Sequence, residues 1–319
     1  MIDILALGHM TLDLLAWVDR YPVAGDGIVA DQIHWTGGGM TANLAHAVAR
    51  LGGRVTLVCA TGDDALGDLA ISVLRQAGVN TDNVVRRPNT PSPVTVLMVN
   101  PALERAGLVT NLPPHLYLRA QEVSDVLIQS ARLFFTDMDP ADTAIEVAGR
   151  VKRMGVPVAF DMQMSEPHVN VPEHAEHVAR MLALTDYFFS DEENFLAWRA
   201  RADLHQAIAE LLTERPDLTM VVTRGAQGSL IATTAGLTSI PAFTVPVADT
   251  IGAGDALHGA FLYTHVLLGW QVEPAGVFAS AAAALSCTRA GARAGLPDMA
   301  QTLAFLQEQG YASAWFGRA

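Results

Sequence analysis

Lysine is almost missing from this chain: of the 20 basic residues among 319, 19 are arginines and Lys152 is the single lysine. P-loop enzymes need a lysine beside their phosphate loop, and protein kinases need one on an early strand. Lys152 follows no glycine-rich loop, which nearly excludes both classes. Cysteine is nearly as scarce. Cys59 and Cys287 lie in separate apolar stretches with no metal-ligand spacing, too few for a disulfide framework, which points to a reducing, cytoplasmic setting. Positive charge is short as well, since 33 acidic residues leave a formal charge of −13. Nucleic acid or an anionic membrane would want clustered Lys and Arg, so neither is an expected partner. The longest uncharged apolar run, Ala275 to Cys287, is too short and too small-sided to span a bilayer and reads as a buried helix. The opening MIDILALGHM carries Asp3 and no basic region, so it reads as a first strand rather than a signal peptide. Neither H-E-x-x-H nor G-x-S-x-G occurs, and His174 and His177 have no third ligand following, so zincin, hydrolase and metal-site readings lack support.

What is present is half hydrophobic and regular in pattern. The length suits two domains or one large α/β domain with an appendage, and can bury a substantial core unaided. Ile2–Leu7, Val55–Ala60, Leu133–Thr136, Val156–Phe160, Tyr187–Ser190 and Met220–Thr223 read as buried strands. Between them Met40–Leu51, Ala65–Ala77, Asp142–Met154, Glu173–Leu184 and Leu204–Leu212 show apolar residues at helical spacing. That alternation predicts a mostly parallel sheet covered by helices on both faces. Leu14–Thr36 and Pro93–Thr110 break it: they are strand-like, without a long helix between. They fit either irregular edge strands or a small β-sheet covering a site.

Two glycine-rich stretches carry the chemistry. Asp249-Thr250-Ile251-Gly252-Ala253-Gly254-Asp255 leads into the helical run Ala256–Leu268. Small residues at a helix's first turn leave unpaired N–H groups and the positive dipole end open to an anion. A carboxylate beside such a turn, Asp255, is suited to take a proton from a substrate hydroxyl. An ordinary glycine-rich helix start, with Asp255 stabilising the dipole, is the alternative. A dinucleotide fingerprint fits less well, because the third glycine comes only at Gly259. Upstream, Gly37-Gly38-Gly39-Met40-Thr41-Ala42-Asn43 enters a helix: the glycines allow close backbone approach, and Asn43 offers donors and an acceptor suited to a sugar hydroxyl, or to bracing the loop itself. Asp13, and Asp139 after the strand Leu133–Thr136, are suited to accept hydrogen bonds from vicinal diols.

In this order and spacing, the two stretches resemble the two signatures of the ribokinase or PfkB family of sugar kinases. Gly8 to Asp13 resembles the family's first strand and substrate aspartate, and Thr61-Gly62-Asp63-Asp64 with Gly67 its strand-to-helix turn. Thr223-Arg224-Gly225-Ala226-Gln227-Gly228 resembles its nucleotide loop, and Thr288-Arg289-Ala290-Gly291-Ala292 the segment closing the adenine and monovalent-cation sites. The resemblance covers nearly the whole chain. It implies a three-layer α/β/α kinase domain over residues 1–319, with a β lid inserted at about 14–36 and 93–110 that in relatives often forms a homodimer contact. It implies Asp255 as the catalytic base, with the backbone of Gly252, Ala253 and Gly254 as the anion hole. By the same resemblance Asp13, Gly38, Gly39 and Asn43 hold the substrate, while Thr223, Gly225 and Gly228 contact ATP. Asp249 and the carbonyls of Ile251, Ser286, Arg289 and Gly291 would bind potassium.

The chain departs from the family twice. The Asn-x-x-Glu element that organises Mg²⁺ is replaced by Asp191-Glu192-Glu193-Asn194, which shifts the magnesium role to Asp191. A cation-loop serine is replaced by Gly295, which implies weaker potassium dependence. On the acceptor side only Arg20 and Arg105 are cationic candidates, which disfavours a sugar phosphate. The ending from Cys287 to Pro297 resembles a branch with ketohexokinase-like and sulfosugar kinases, but Asp139 and Gly27 stand where the sulfosugar branch carries basic residues. A neutral ketose or pentose, such as fructose or ribose, is therefore the expected acceptor. A nucleoside stacked on Tyr21, Trp35 or Tyr117 is the runner-up, and a catalytically silent sensor is a further alternative.

Overall fold

The computed structural model describes residues 1–102, 104–110, 113–162 and 171–316. Its strands are β1 (Ile2–Leu7), β2 (Thr11–Val18), β3 (Ala30–Gly38), β4 (Val55–Val58), β5 (Ala60–Gly62), β6 (Val85–Arg87), β7 (Val94–Val99) and β8 (Arg105–Val109), followed by β9 (Ala131–Thr136), β10 (Val158–Met162), β11 (Tyr187–Asp191), β12 (Thr219–Thr223), β13 (Ser229–Thr233) and β14 (Gly236–Ile240). The helices are α1 (Met40–Arg50), α2 (Ala65–Gln76), α3 (Asp125–Gln129), α4 (Ala141–Arg153), α5 (Pro172–Leu182), α6 (Glu192–Arg199), α7 (Leu204–Glu214), α8 (Ala253–Phe261), α9 (Val272–Ser286) and α10 (Met299–Glu308).

Eight strands form the main sheet in the order β14-β13-β12-β11-β10-β9-β1-β4. All its pairings are parallel except those of β12 with β13 and β13 with β14, an antiparallel edge that the sequence pattern did not predict. Side chains alternate across the sheet, so neighbours in one strand enter different cores. Phe135 and Phe189 join Leu44, Phe261 and Phe278 on one face. Phe134 and Phe188 join Val147, Met181 and Leu211 on the other. Burial on both faces is why these strands read as continuous apolar runs. The apolar stretch Ala275–Cys287 is largely α9, packed inside this structure, and among the described residues no helix is long and apolar enough to cross a membrane.

The two segments that broke the alternation pair into a second sheet of order β3-β2-β7-β8. β2 runs antiparallel to β3 and parallel to β7, and it begins at Thr11, so Asp13 is part of this small sheet rather than of the turn before it. The segment read as a continuous helix to Leu268 leaves α8 at Phe261 and widens into a π-type turn over Leu262–Leu267.

Candidate active site

The C-terminal ends of parallel strands and the N-termini of the helices that follow them converge in such sheets, and side chains of distant sequence meet there. α8 begins at this edge. Its N-cap, Gly252, has φ +74°, a left-handed conformation that L side chains rarely adopt. The Ala253 N–H reaches the Thr250 carbonyl at 3.3 Å, while those of Gly252 and Gly254 have no hydrogen-bond partner among the described residues. Such a turn offers an anion two backbone donors and the dipole of the helix. Asp255 follows on the same turn, only 5 % exposed.

Asp255 is joined to the other glycine-rich segment. Asn43, on α1, donates from Nδ2 to Asp255 Oδ2 at 2.8 Å. Gly39 caps that helix with φ +88°, and a Cβ there would stand 2.5 Å from the His9 carbonyl, so only glycine lets α1 start this close to the β1–β2 turn. Asp13 is 7 % exposed and accepts from Thr11 Oγ1 at 2.9 Å. Burial pushes its carboxyl above the usual carboxylate range, although Thr11, Thr95 and the nearby Arg293 charge favour the ionised form. Asp139 is pushed up by burial too, against the opposing charge of His9.

A cavity of about 430 Å³ is lined by Asp13, Gly39, Asn43, Asp139 and Asp255, together with Thr250, Gly252 and Gly254, and is covered by Thr95, Arg105 and Thr110 of the small sheet and its margin. A second cavity of about 490 Å³ lies on the other side of the turn, lined by Thr223, Gly225, Gly228, the loop from Ala242 to Val247 and, on α9, Ser280, Ala283 and Ala284. Thr250 and Gly254 line both. The first cavity is polar, with several carboxylates and hydroxyls; the second is shaped by small and apolar side chains, suited to a planar ring.

Most of the sequence-predicted substrate and nucleotide residues line one cavity or the other. Asp13, Gly39, Asn43, Asp139, Gly252, Gly254 and Asp255 meet in the first cavity. Thr223, Gly225, Gly228 and Ala253 line the second. Gly38 stands behind the first, its missing side chain leaving room for the Asp13 carboxylate, which a Cβ would approach to 2.1 Å. Asp249 ties the cation-loop candidates together: its Oδ1 accepts from the Ile251 N–H at 3.0 Å and its Oδ2 from the Gly291 N–H at 2.8 Å. Ser286 ends α9 beside this loop, and a Cβ on Gly295 would come to 2.2 Å from its carbonyl. Arg289 lies in the same turn. Asp191 lines neither cavity; it is the N-cap of α6, accepting from the Asn194 N–H at 2.8 Å. Tyr21 and Trp35 line neither cavity, and Tyr117 lines only a small neighbouring crevice beside His9 and Asp139.

Three further residues belong to the site: His9 and Arg293, which sequence reasoning did not assign to it, and Arg105, which it offered only as a candidate cation on the acceptor side. His9 lies 3.2 Å from Asp137 and 3.4 Å from Asp139. Burial pushes its imidazole down, but the Asp137 hydrogen bond and the charges of Asp137, Asp139 and Asp255 outweigh this and raise its pKa to about 9. Arg105, from β8, donates from Nη2 to Thr250 Oγ1 at 2.9 Å and so reaches the anion-binding turn from above. Arg293 is buried behind Asn43. Its neighbourhood with Gly291 in the closing segment was the one available signal; lone His and Arg residues give none.

Comparison with known proteins agrees with this geometry. The pfkB family carbohydrate kinase profile matches residues 1–299. Over 310 residues the chain is 30 % identical to an ATP-dependent ribose-1-phosphate kinase of Halopiger xanaduensis, covering 97 % of this chain and 99 % of that one. It is 28 % identical to a ribokinase of Bacillus subtilis, with 92 % and 96 % covered. The solved fructokinase of Xylella fastidiosa with bound ATP superposes with a TM-score of 0.83 at 27 % identity, over 97 % of this chain and 99 % of that one.

Proposed function

The chain belongs to the pfkB family of carbohydrate kinases and is an ATP-dependent sugar kinase; on that premise we propose that it phosphorylates a hydroxyl of a neutral pentose or ketose, with Asp255 as general base. The observation that carries this is the meeting of two cavities of different chemistry at one helix N-terminus, where Thr250 and Gly254 belong to both and Asp255 faces the polar one. The sugar hydroxyls are held by Asp13, Asn43 and Asp139 and by the backbone at Gly39, with Gly38 behind them leaving room for the Asp13 carboxylate. ATP lies over Thr223, Gly225 and Gly228. Asp255 takes the proton of the attacking hydroxyl, a role worth about 10²–10⁴-fold. Charge developing on the transferred phosphoryl group is met by the N–H groups of Gly252 and Gly254, each donor worth about 2.7–4 kcal/mol, while the Ala253 N–H is turned to the Thr250 carbonyl. Backbone donors replace the lysine that this sequence lacks.

A neutral acceptor is supported by the carboxylates lining the cavity. Against a nucleoside stands the lack, among the described residues lining it, of any aromatic ring but the His9 imidazole. One observation favours a second reading: Arg105 brings a cation to the cavity mouth, suited to a sugar phosphate such as the relative from Halopiger xanaduensis is named for.

Mg²⁺ when bound would neutralise the phosphate oxygens, and Asp191 suits a water-mediated contact, since a carboxylate has about four lone-pair positions and helix capping does not use them all. Potassium would take the carbonyls of Ile251, Ser286, Arg289 and Gly291; the Asp249 carboxylate holds the Ile251 and Gly291 segments of that loop together through their N–H groups. We treat residues 1–319 as one cytoplasmic kinase domain, its lid being the small sheet, and a second copy of the chain as the cover of the exposed Val29, Ile33 and Trp35 on and beside β3. The test is ADP release from Mg-ATP against ribose, fructose, other ketoses, sugar phosphates and nucleosides, with and without potassium. One neutral sugar rising well above the ATPase background is expected; turnover with only a sugar phosphate or a nucleoside would overturn the neutral-acceptor reading.

A further inference from the structure

We propose that Arg293 is a positioning residue for the catalytic base, acting through Asn43; this rests on the reading of Asp255 as that base. Arg293 is 6 % exposed, and 250 residues separate it from Asn43 in sequence. Its Nε donates to Asn43 Oδ1 at 2.8 Å and its Nη2 to the Gly38 carbonyl at 2.6 Å. A guanidinium only donates, so only the oxygen of the Asn43 carboxamide can face it. The amide nitrogen is thereby turned towards Asp255, where it donates to Oδ2 at 2.8 Å. The chain Arg293–Asn43–Asp255 leaves the amide one orientation and holds the carboxylate through a directed hydrogen bond.

Charge adds to geometry. The Arg293 guanidinium lies close enough to both Asp13 and Asp255 for their charges to act on it. Two carboxylates in one cavity would otherwise oppose each other's ionisation, and a base must be ionised to work. The sequence makes room for this cation: a Cβ on Gly37 would stand 2.0 Å from Nη1 and 2.5 Å from Cζ of Arg293. Arg293 lines neither cavity, so neither ligand needs to touch it.

The test compares full-length R293M and R293K with the parent enzyme, measuring kcat, both KM values and the pH dependence of kcat/KM. Other charged groups facing the base are His9, Asp13, Asp139 and, from above, Arg105, so H9Q serves as the comparison for a general change of field. In R293M, kcat is expected to fall about 10- to 100-fold, as for a small misplacement of a reacting group. The acid limb of the profile should move up by about one unit or more, with the KM for ATP within about twofold. R293K, which restores charge without the planar fork, should recover the acid limb but not the rate. Parent-like kcat and acid limb in R293M would overturn the proposal. Should R293M fail to fold, G37A decides, because its Cβ displaces only the flexible tip of Arg293: a lowered kcat supports the relay, and an unchanged kcat overturns it. If D255N keeps its activity, the base assignment fails whatever Arg293 does; if D255N is inactive while R293M is normal, only this inference fails.

Discussion

Replacing Gly252 by alanine attacks the anion-binding turn without touching a titratable group. At φ +74° an alanine costs about 1–2 kcal/mol. Its Cβ would stand 2.7 Å from the Cβ of Ala292 and 3.0 Å from the Ala292 Cα and carbonyl oxygen. These are backbone and near-backbone atoms that cannot swing aside, so the turn and the 292 segment must separate by a few tenths of an ångström. The Gly252 and Gly254 N–H groups move with it. Loss of one well-aimed donor removes about 2.7–4 kcal/mol of transition-state stabilisation, or roughly 10²–10³ in kcat. Backbone strain of about 1–2 kcal/mol lowers Tm by about 1.5–3 °C in a chain of 319 residues. Coupled ADP release below the transition, with thermal melting alongside, separates the two effects. A lowered Tm with unchanged kcat would refute the assignment of this turn to the phosphoryl group.

Asp13→Asn should raise the KM for the sugar by roughly 10- to 100-fold, as expected for a charged hydrogen-bond acceptor worth about 1.5–3 kcal/mol, while the KM for ATP stays unchanged because Asp13 does not line the second cavity. His9 predicts a pH dependence of stability. Its folded pKa of about 9 lies above the unfolded value near 6.5, so its ion pairing stabilises fully below about pH 6.5 and is lost as pH rises through about 9. Denaturant unfolding should therefore show stability declining over that window, and a slope just as steep in His9→Gln would contradict the assignment.

Local signals made much of this legible. Met40–Leu51 and Ala65–Ala77 were recognisable as helices because one face of each is apolar at helical spacing, and the structure has helices there. Small residues at Gly252–Gly254 marked the anion-binding turn because an open turn needs them in sequence. The antiparallel edge β13–β14 was missed, since β13 is largely buried like a parallel strand while β14 is short and mostly exposed. Periodicity does not say on which side a strand will pair. The change from α-helix to π-type turn after Phe261 was missed because Leu262–Leu267 continues the apolar pattern. Arg293 and His9 were invisible as site residues for another reason: what defines them is who sits opposite, Asn43 across 250 residues and Asp137 across the sheet edge. Such partners belong to topology rather than to any window of sequence.

The central claim is that phosphoryl transfer occurs where the two cavities meet, with Asp255 as base. The most direct measurement is kcat of Asp255→Asn with Mg-ATP and the accepted sugar, alongside binding of both substrates. The side chain keeps its shape, and an asparagine oxygen can still accept from Asn43 Nδ2, so both substrates should bind and the fold should persist. Turnover should fall by about 10²–10⁴-fold, the contribution of a general base. A variant that binds both substrates and retains kcat within about tenfold of the parent would contradict the account.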